Sequence, residues 1–290
     1  MTKLVTAIAE LRASTSAARS RNQSIGLVPT MGFLHAGHSS LMRRARSECD
    51  IVVVTIFVNP LQFGPNEDLA SYPRDLESDL AVCEADGVDL VFAPSVDEMY
   101  PDAASRSTVH VAGLGESLCG RSRPGHFDGV TTVVSRLFDI IGPSRAYFGQ
   151  KDAQQLAIVT RMVVELGLDV QIVGCPLIRE ADGLALSSRN AYLSPEERAA
   201  APKLHQALLA AERVFKRGVS DPAAITRVVR SQIELEPLFA IDYVECVDTE
   251  SLVALDTIEK TGLIVVAARI GRTRLIDNLV LARGLVDQTP

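Results

Sequence analysis

The sequence predicts an α/β protein in which a doubly wound parallel sheet, residues 1–177, is followed by a smaller α+β domain, residues 178–290. Three observations predict this fold class. Strand-like and helix-like segments alternate through the first part. Its strand segments are continuous apolar runs, as in sheets covered by helices on both faces. After about Ile178 the pattern changes to long helical segments followed by strands, and the domain boundary rests on that change alone.

The strands predicted in the first part are short and rich in β-branched residues. They are Ile25–Val28, Ile51–Val58, Val88–Phe92, Arg145–Phe148 and Val170–Val173. Helices are predicted where apolar residues recur every three or four positions. They are residues 1–20, Gly37–Ser47, Asp75–Ala85, Asp128–Ile141 and Ala153–Leu166. The charges within residues 1–20 are typical of an amphipathic helix and not of a signal peptide.

In the second part, Ser194 predicts a helix start, because Pro195 suits the first turn and Glu197 completes a capping box. One long helix is predicted from Ser194 to about Arg217, and another from Asp221 to about Leu235. The strands predicted after them are Ile241–Val247, Leu263–Ala268 and Thr273–Ile276.

The composition is that of a folded protein, with 47% apolar and 22% charged residues, and it excludes a disordered or low-complexity chain. A net charge of −7 disfavours binding to nucleic acid or to an anionic membrane surface, although a local site can still bind a small anion. The five cysteines are odd in number and far apart, which indicates reduced thiols rather than disulfides or a zinc site. No apolar run approaches the roughly 18 residues of a membrane span. These features predict a cytoplasmic protein.

The segment Pro29–His38 leads from the first predicted strand through a glycine-containing turn into a helix. The free N–H groups and partial positive charge of a helix N-terminus favour phosphate. His35 and His38 are three positions apart at this start, so both can face a phosphate. Gly37 between them would let a nucleotide lie close to the backbone. Capping or core histidines are the alternative, but the placement directly after a strand favours a nucleotide site.

Asn59 and Gln62 follow the most apolar predicted strand, at the edge where open α/β sheets bind ligands. Their amides both donate and accept hydrogen bonds, which suits hydroxyls or a carboxylate. Taken alone, the segment is explained better by an ordinary turn fixed by Pro60 and Pro65.

Lys151 lies at another junction of strand and helix, and Lys3 is the only other lysine in residues 1–177. An ammonium is locally unfavourable at a helix start, so its placement there indicates a phosphate ligand. Asp152 could hold Mg²⁺ or a ribose hydroxyl, and Gln155 lies one turn further along the same side. A surface Lys–Asp pair is the alternative.

Residues 178–190 combine a glycine with Ser187, Ser188 and Arg189, which can wrap a triphosphate and move as a lid. A polar linker between domains is the alternative, but the apolar stretch Leu184–Leu186 argues against a flexible one.

A lesser candidate is the stretch from Gly120 to Val130, in which Arg121, Arg123 and His126 precede a predicted helix. A lone histidine such as His126 is more often structural than a ligand.

Together these segments resemble the pantoate–β-alanine ligase family, also called pantothenate synthetases, within the nucleotidylyltransferase superfamily. The resemblance covers much of residues 25–190 in the family's order and spacing. The stretches that carry it are LVPTMGFLHAGH, IFVNPLQFGPNEDLASYPR, RPGHFDGVTTVV, YFGQKDAQQL and READGLALSSRN. The departures are Leu186, where the family usually has Met, and Ala36, where many relatives have an acidic residue. Neither departure is expected to disturb the chemistry, since Leu and Met have similar volumes and Ala36 is not a proposed ligand.

The resemblance implies a Rossmann-like N-terminal domain that binds ATP and pantoate, a C-terminal lid domain, and a homodimer. It implies that ATP, with Mg²⁺, activates (R)-pantoate as pantoyl adenylate, which β-alanine converts into pantothenate. The implied catalytic residues are His38 as proton donor with His35, Lys151, Ser187, Ser188 and Arg189. The implied ATP contacts are Pro29, Met31, Gly32, Phe33, Leu34, His35, Ala36, Gly37, His38, Gly149, Gln150, Lys151, Asp152, Ile178, Leu186, Ser187, Ser188 and Arg189. Pantoate is assigned to Gln62 and Gln155, with Asn59 as a further candidate, β-alanine to Gln62, and Mg²⁺ to Asp152.

Two other hypotheses remain open at this point. The histidine segment alone also permits a nucleotidylyltransferase that releases a nucleotide-linked product, although the pair Gln62 and Gln155 favours the ligase. A non-catalytic nucleotide-binding regulator is disfavoured by the intact His38, Lys151 and Arg189. A dinucleotide-dependent oxidoreductase is disfavoured because no GxGxxG follows the first strand.

Overall fold

The computed structural model describes residues 1–65, 67–102 and 107–283. The chain divides into two compact units. One comprises Met1–Gln150 and Ile158–Leu177, and the other Lys151–Ala157 and the chain from Ile178 onward. Residues 151–157 thus cluster with the second unit, although they lie inside the first predicted domain. The predicted bounds, 1–177 and 178–290, stay a prediction.

The first unit is built on a parallel sheet, six-stranded within the described residues, with helices between its strands. The strands are β1 (Lys3–Val5), β2 (Ile25–Thr30), β3 (Ile51–Ile56), β4 (Leu90–Phe92), β5 (Ser144–Gly149) and β6 (Val170–Cys175), in the spatial order β1-β4-β3-β2-β5-β6. The helices are α1 (Ile8–Ser20), α2 (Ala36–Glu48), α3 (Leu76–Ala85), α4 (Val96–Met99), α5 (Leu118–Ser122) and α6 (His126–Ile141), and α7 (Ala153–Glu165) follows β5.

The sheet is buried on both faces, as the continuous apolar strands predict. Val52, Val53 and Val54 of β3 have no exposed surface, although successive side chains point to opposite faces. Helices α2 and α3 pack on one face, where they bury Val52 and Val54. Helices α1 and α6 contact each other, and α1 contacts β2. The predicted doubly wound α/β class is therefore confirmed.

The N-terminus departs from the prediction of a single helix over residues 1–20. Residues 3–5 form β1, which extends the sheet by pairing in parallel with Leu90–Phe92 of β4. The helix begins only at Ile8, whose backbone N–H donates to Glu98 Oε1 at 2.7 Å. The amphipathic pattern could not reveal this pairing, because the partner strand lies far away along the chain.

The order of the strands reverses at β2, which lies between β3 and β5. In open α/β sheets, ligands bind beyond the carboxyl ends of the strands at such a switch point. At that edge β2 ends at Thr30, β3 at Ile56 and β5 at Gly149. The segments that carry the histidine pair, Gln62 and Lys151 lie at these three strand ends.

The second unit contains an antiparallel sheet of β7 (Phe239–Val247), β8 (Thr261–Ile270) and β9 (Thr273–Ala282). Its helices are α8 (Pro195–Ala200), α9 (Lys203–Lys216) and α10 (Pro222–Ile233). The predicted α+β class is confirmed. Leu204 and Phe215 of α9 and Ile225 of α10 are buried with apolar side chains of the sheet.

The helix predicted from Ser194 to Arg217 is wrong, because the structure has two helices there, α8 and α9. Pro202 lies between them and serves as the N-cap residue of α9. Proline has no backbone N–H to donate to the carbonyl four residues earlier, which breaks a continuous helix.

All five cysteines lie within the described residues; they are buried and outside any disulfide. No described helix combines the length and the apolar character required to cross a membrane.

Candidate active site

The turn after β2 is held at its start by the Thr30 side chain. The Thr30 hydroxyl donates to the Thr55 carbonyl of β3 at 2.6 Å and accepts from the Gly32 N–H at 3.1 Å. Gly32 has φ +82°, and a Cβ built there would lie 2.8 Å from Asp79 Oδ2 and 3.0 Å from Ile56 Cγ2. Glycine is required at this position both for the backbone conformation and for the space.

The side chain of Asp79, on α3, holds the backbone of this turn through two hydrogen bonds. Its buried carboxylate accepts from the backbone N–H of Phe33 at 2.9 Å and of Leu34 at 2.7 Å. These bonds fix Phe33 in a left-handed conformation with φ +52°. Burial raises the pKa of Asp79, while the two amide hydrogen bonds oppose the rise. Sequence reasoning missed this residue, although a carboxylate between the apolar positions Leu76 and Leu80 of a helix was a usable signal.

His35 and His38 lie side by side at the start of α2, with ring centroids 4.1 Å apart and planes tilted by 32°. The Gly37 N–H donates to His35 Nδ1 at 3.1 Å, and the His35 N–H donates to His38 Nδ1 at 3.3 Å. An Nδ1 that accepts a hydrogen bond carries no proton, so each neutral ring has its proton on Nε2. Both histidines therefore cap the helix through Nδ1 and have a donor at Nε2.

Gln62 lies at the end of a short 3₁₀ helix, Pro60–Gln62, that follows β3. Its side-chain Nε2 lies 3.1 Å from Met31 Sδ, and its Oε1 accepts from Asn59 Nδ2 at 3.2 Å. The structure thus brings together Met31, Asn59 and Gln62, which were singled out in two different sequence segments.

Asn59 is only 1% exposed, and the protein uses all four hydrogen-bonding positions of its amide. Nδ2 donates to Gln62 Oε1 and to the Gly129 carbonyl, while Oδ1 accepts from the Leu61 N–H and the Tyr100 hydroxyl. Asn59 is therefore placed to orient Gln62. A direct contact with pantoate stays a prediction and would require Asn59 to give up one of these bonds.

The chain leaves β5 at Gly149, where a Cβ would meet nothing within 4 Å, and continues through the 3₁₀ helix Gln150–Asp152 into α7. Lys151 Nζ lies 3.9 Å from Asp152 Oδ2, with side-chain exposures of 20% and 49%. The lysine is mostly covered by protein, unlike a solvated surface charge. Gln155 is half-buried in the first turn of α7.

Within the second unit, residues 178–186 form a hairpin. The Leu186 N–H donates to the Ile178 carbonyl at 3.0 Å and the Glu180 N–H to the Leu184 carbonyl at 2.8 Å. Gly183, with φ +95°, closes the turn against His205. The buried Leu184 anchors the hairpin, which agrees with the argument from sequence against a flexible linker.

Directly after the hairpin, Ser187 caps the 3₁₀ helix Ser188–Tyr192 by accepting from the Arg189 N–H at 3.3 Å. Ser188 is buried, and Ser187 and Arg189 are half-buried.

Asp277 and Asn278 of β9 hold both the hairpin and Lys151 within the second unit. Asp277 forms a bidentate ion pair with Arg179, at 2.7 and 2.9 Å, and is only 4% exposed. Asn278 Nδ2 donates to the Lys151 carbonyl at 3.0 Å. Sequence reasoning missed both residues. Their signal was a polar pair inside the apolar run Leu275–Leu281.

No group of three or more His, Cys, Asp or Glu residues gathers as metal ligands within residues 1–65, 67–102 and 107–283. The Asp152 carboxylate is a hard oxygen donor, and Mg²⁺ is commonly held by one such group together with substrate phosphates. Asp152 therefore fits a magnesium ion that arrives with a nucleotide.

These features define a nucleotide-binding α/β protein, with paired histidines at the helix that follows the central strand of its sheet. The sequence model of the family described as pantoate-beta-alanine ligase matches residues 3–280, and the chain belongs to this family.

Among similar proteins, a bifunctional pantoate ligase/cytidylate kinase of Thermosynechococcus vestitus is 56% identical over 262 residues. The match covers 90% of this chain and 51% of that relative, so the chain spans about half the length of the bifunctional protein.

A crystal structure of pantothenate synthetase from Thermus thermophilus superposes with a TM-score of 0.91 at 49% identity, covering 96% of this chain and 99% of that chain. The pantoate-beta-alanine ligase of Francisella tularensis, complexed with beta-gamma ATP and beta-alanine, superposes with a TM-score of 0.79 at 33% identity. It covers 97% of this chain and 98% of that chain.

Proposed function

We propose that this chain condenses (R)-pantoate with β-alanine at the expense of ATP. In the first half-reaction the pantoate carboxylate attacks the α-phosphorus of ATP and displaces pyrophosphate, giving pantoyl adenylate. In the second, the β-alanine amine attacks the acyl carbon, displaces AMP and loses a proton. The product is pantothenate, vitamin B5, a precursor of coenzyme A. The beta-gamma ATP and beta-alanine bound by the Francisella relative support both substrates.

The observation that carries the proposal is the histidine pair at the start of α2. The pair lies at a helix N-terminus, where backbone N–H groups and the helix dipole favour phosphate, and each ring adds an Nε2–H donor. The pantoate carboxylate is already ionised, so its attack needs no general base. It needs alignment and stabilisation of the charge that grows on the phosphate oxygens. His38 is the catalytic residue of this step and donates a hydrogen bond from Nε2 to the phosphate oxygens, and His35 is a second donor to the phosphates.

The remaining roles are distributed along the turns already described. ATP is contacted by Pro29, Met31–His38, Gly149–Asp152, Ile178 and Leu186–Arg189, and further donors to its phosphates come from Lys151, Ser187, Ser188 and Arg189. Gln62 and Gln155 bind pantoate, and Gln62 also contacts β-alanine. Asp152 holds Mg²⁺, which neutralises phosphate charge when ATP is bound. Residues 1–177 bind ATP and pantoate, residues 178–290 act as the lid, and the chain works as a cytoplasmic homodimer.

The decisive experiment is ATP–pyrophosphate exchange with pantoate present and β-alanine absent. We expect exchange that depends on pantoate, followed by release of AMP and pantothenate when β-alanine is added. His38→Ala should lower the exchange rate by about 10²-fold, the size of effect seen when one donor to a transition-state oxyanion is lost.

His110→Ala is the matched control, because His110 is an exposed histidine paired with Asp128 on the surface. ATP binding without exchange would contradict the proposal and favour a regulator. Exchange with another acid, or a nucleotide-linked end product, would favour a different nucleotidylyltransferase. Near-normal exchange by the His38→Ala variant would exclude His38 from the mechanism.

A further inference from the structure

The stretch from Gly120 to Val130, which the proposed mechanism does not use, packs directly on the turn that carries Gln62. His126, the first residue of α6, has its Nδ1 atom 2.7 Å from the Gln62 carbonyl oxygen. A carbonyl oxygen can only accept, so Nδ1 carries the proton and donates it in this hydrogen bond.

Arg123 bonds the other ring nitrogen of His126 and reaches the same carbonyl. Its Nη1 lies 2.9 Å from His126 Nε2, the nitrogen left without a proton, and its Nη2 donates to the Gln62 carbonyl at 3.3 Å. Since a guanidinium can only donate, it locks the imidazole in the tautomer that the Gln62 carbonyl requires. The carbonyl therefore receives two donors whose directions are both fixed.

Glu67 holds Arg123 in place. Its carboxylate oxygens accept from Arg123 Nε at 2.7 Å and Nη2 at 2.5 Å, and both side chains are mostly covered by protein. Burial alone would raise the pKa of Glu67, but the hydrogen bonds and charge of Arg123 outweigh it and lower the pKa below its usual value. Glu67 is thus ionised at neutral pH, and its planar pairing with the guanidinium sets the orientation of Arg123.

Gly129, one turn further along α6, helps to orient the side chain of Gln62 through Asn59. A Cβ at Gly129 would lie 2.3 Å from the Leu61 carbonyl oxygen, so only glycine lets the helix approach the turn this closely. The Gly129 carbonyl accepts from Asn59 Nδ2, and the same amide nitrogen donates to Gln62 Oε1. The start of α6 thus holds the backbone carbonyl of Gln62 directly and its side-chain oxygen through Asn59.

We propose that His126 and Arg123 are positioning residues for pantoate recognition, acting through the backbone carbonyl of Gln62. The inference rests on the proposed role of Gln62 as a pantoate ligand. These residues bond the backbone carbonyl of Gln62 and have no proposed contact with a reacting group. Their loss therefore weakens the capture of pantoate and leaves the chemical step intact. The outcome to look for is a raised KM for pantoate with kcat and the KM for ATP nearly unchanged.

The test compares three substitutions of His126 in pantoate-dependent ATP–pyrophosphate exchange. His126→Asn keeps an N–H near the position of Nδ1 and can still donate to the Gln62 carbonyl. His126→Gln places its amide nearer the position of Nε2, and His126→Ala removes the donor. We expect the Gln and Ala variants to raise the KM for pantoate by about tenfold, the value of one hydrogen bond of roughly 1.4 kcal/mol, and Asn to restore most of it. At saturating pantoate all three variants should exchange at nearly the normal rate.

His110→Ala is the matched control and should leave the KM for pantoate unchanged. Gln62→Ala separates this inference from the proposed function. If Gln62→Ala leaves the pantoate dependence unchanged, the assigned role of Gln62 fails. If Gln62→Ala raises the KM for pantoate but His126→Gln does not, the positioning role of His126 is overturned. If His126→Ala does not fold, the Asn and Gln variants decide, because equal effects of the two would also overturn the inference.

Discussion

At the residue scale, the histidines that open α2 combine two uses that sequence reasoning treated as alternatives. In capping the helix, Nδ1 of each ring accepts a backbone hydrogen bond, and these bonds assign the ring proton to Nε2. The geometry therefore places the proton of each neutral ring on Nε2, where it can be donated to a phosphate oxygen.

Two other histidines should titrate on opposite sides of the ordinary value of 6.5. A hydrogen bond to Asp128 and its charge raise the pKa of His110. Burial, followed by the charge of Arg179, lowers the pKa of His205. We expect NMR titration of the ring protons to give a pKa above 6.5 for His110 and below it for His205.

The two shifts act on stability with opposite signs. The contribution of His110 is fully present below pH 6.5 and is lost as pH rises through its folded pKa. The contribution of His205 is present above pH 6.5 and is lost as pH falls through its folded pKa. Asp128→Asn should lower the pKa of His110 toward its ordinary value and leave that of His205 unchanged; an unaltered His110 titration would disprove the assigned cause.

At the scale of elements, β9 is more than the last strand of a small sheet. Its neighbouring residues Asp277 and Asn278 hold the 178–186 hairpin and the Lys151 backbone, two segments proposed to contact ATP. Because the hairpin is ordered, the Ser187–Arg189 stretch that follows it begins from a fixed position rather than from a flexible loop.

Asn278→Ala should therefore impair the use of ATP. It removes the donor to the Lys151 carbonyl, and the loss of one hydrogen bond of about 1 kcal/mol corresponds to a rise of roughly fivefold in the KM for ATP. The second half-reaction, started from preformed pantoyl adenylate, should keep its normal rate. Exchange kinetics and a single-turnover assay with β-alanine measure the two effects.

Asp242→Asn serves as the control, because Asp242 belongs to the same sheet and pairs with Arg274, which has no proposed contact with ATP. Equal losses in both half-reactions of the Asn278→Ala variant would mean general destabilisation of the sheet, contrary to the proposed role.

Elements that depend on local patterns could be predicted from the sequence, whereas those that depend on distant partners could not. The strand β3 and the helices α2 and α6 follow from local patterns, because continuous apolar runs and three-to-four spacing report burial directly. The strand β1 depends on a partner some ninety residues away, and local pattern reasoning overlooked the break at Pro202. At the site, the glycine turn and the histidine pair lie within one segment, whereas Asp79, His126 and Asn278 act through contacts between distant segments.

At the scale of the whole molecule, the chain has a sheet edge at β6. Within the described residues β6 is the last strand in the order, pairing with β5. The exposed Val164 and Leu166 precede it along the chain. An exposed edge with neighbouring apolar side chains is a common site of association between chains.

Sedimentation velocity should therefore give a mass of about twice the 31.2 kDa of one chain, as expected for the proposed homodimer. Replacing Leu166 with Glu should shift the distribution toward the monomer if this edge carries the contact, while Leu235→Glu, at an exposed position of the second unit, should not. A monomer at every concentration tested would contradict the proposed assembly.

The burial of all five thiols has a practical consequence for following this protein in solution. Burial raises the pKa of Cys83 to about 12 and of Cys246 to about 11, so neither forms much thiolate at neutral pH. A single cysteine introduced at the exposed Ala181, in the turn of the hairpin, would react with a maleimide dye far faster than the covered native thiols. A fluorophore could therefore report on the hairpin as ATP is added, without first removing any cysteine from the chain.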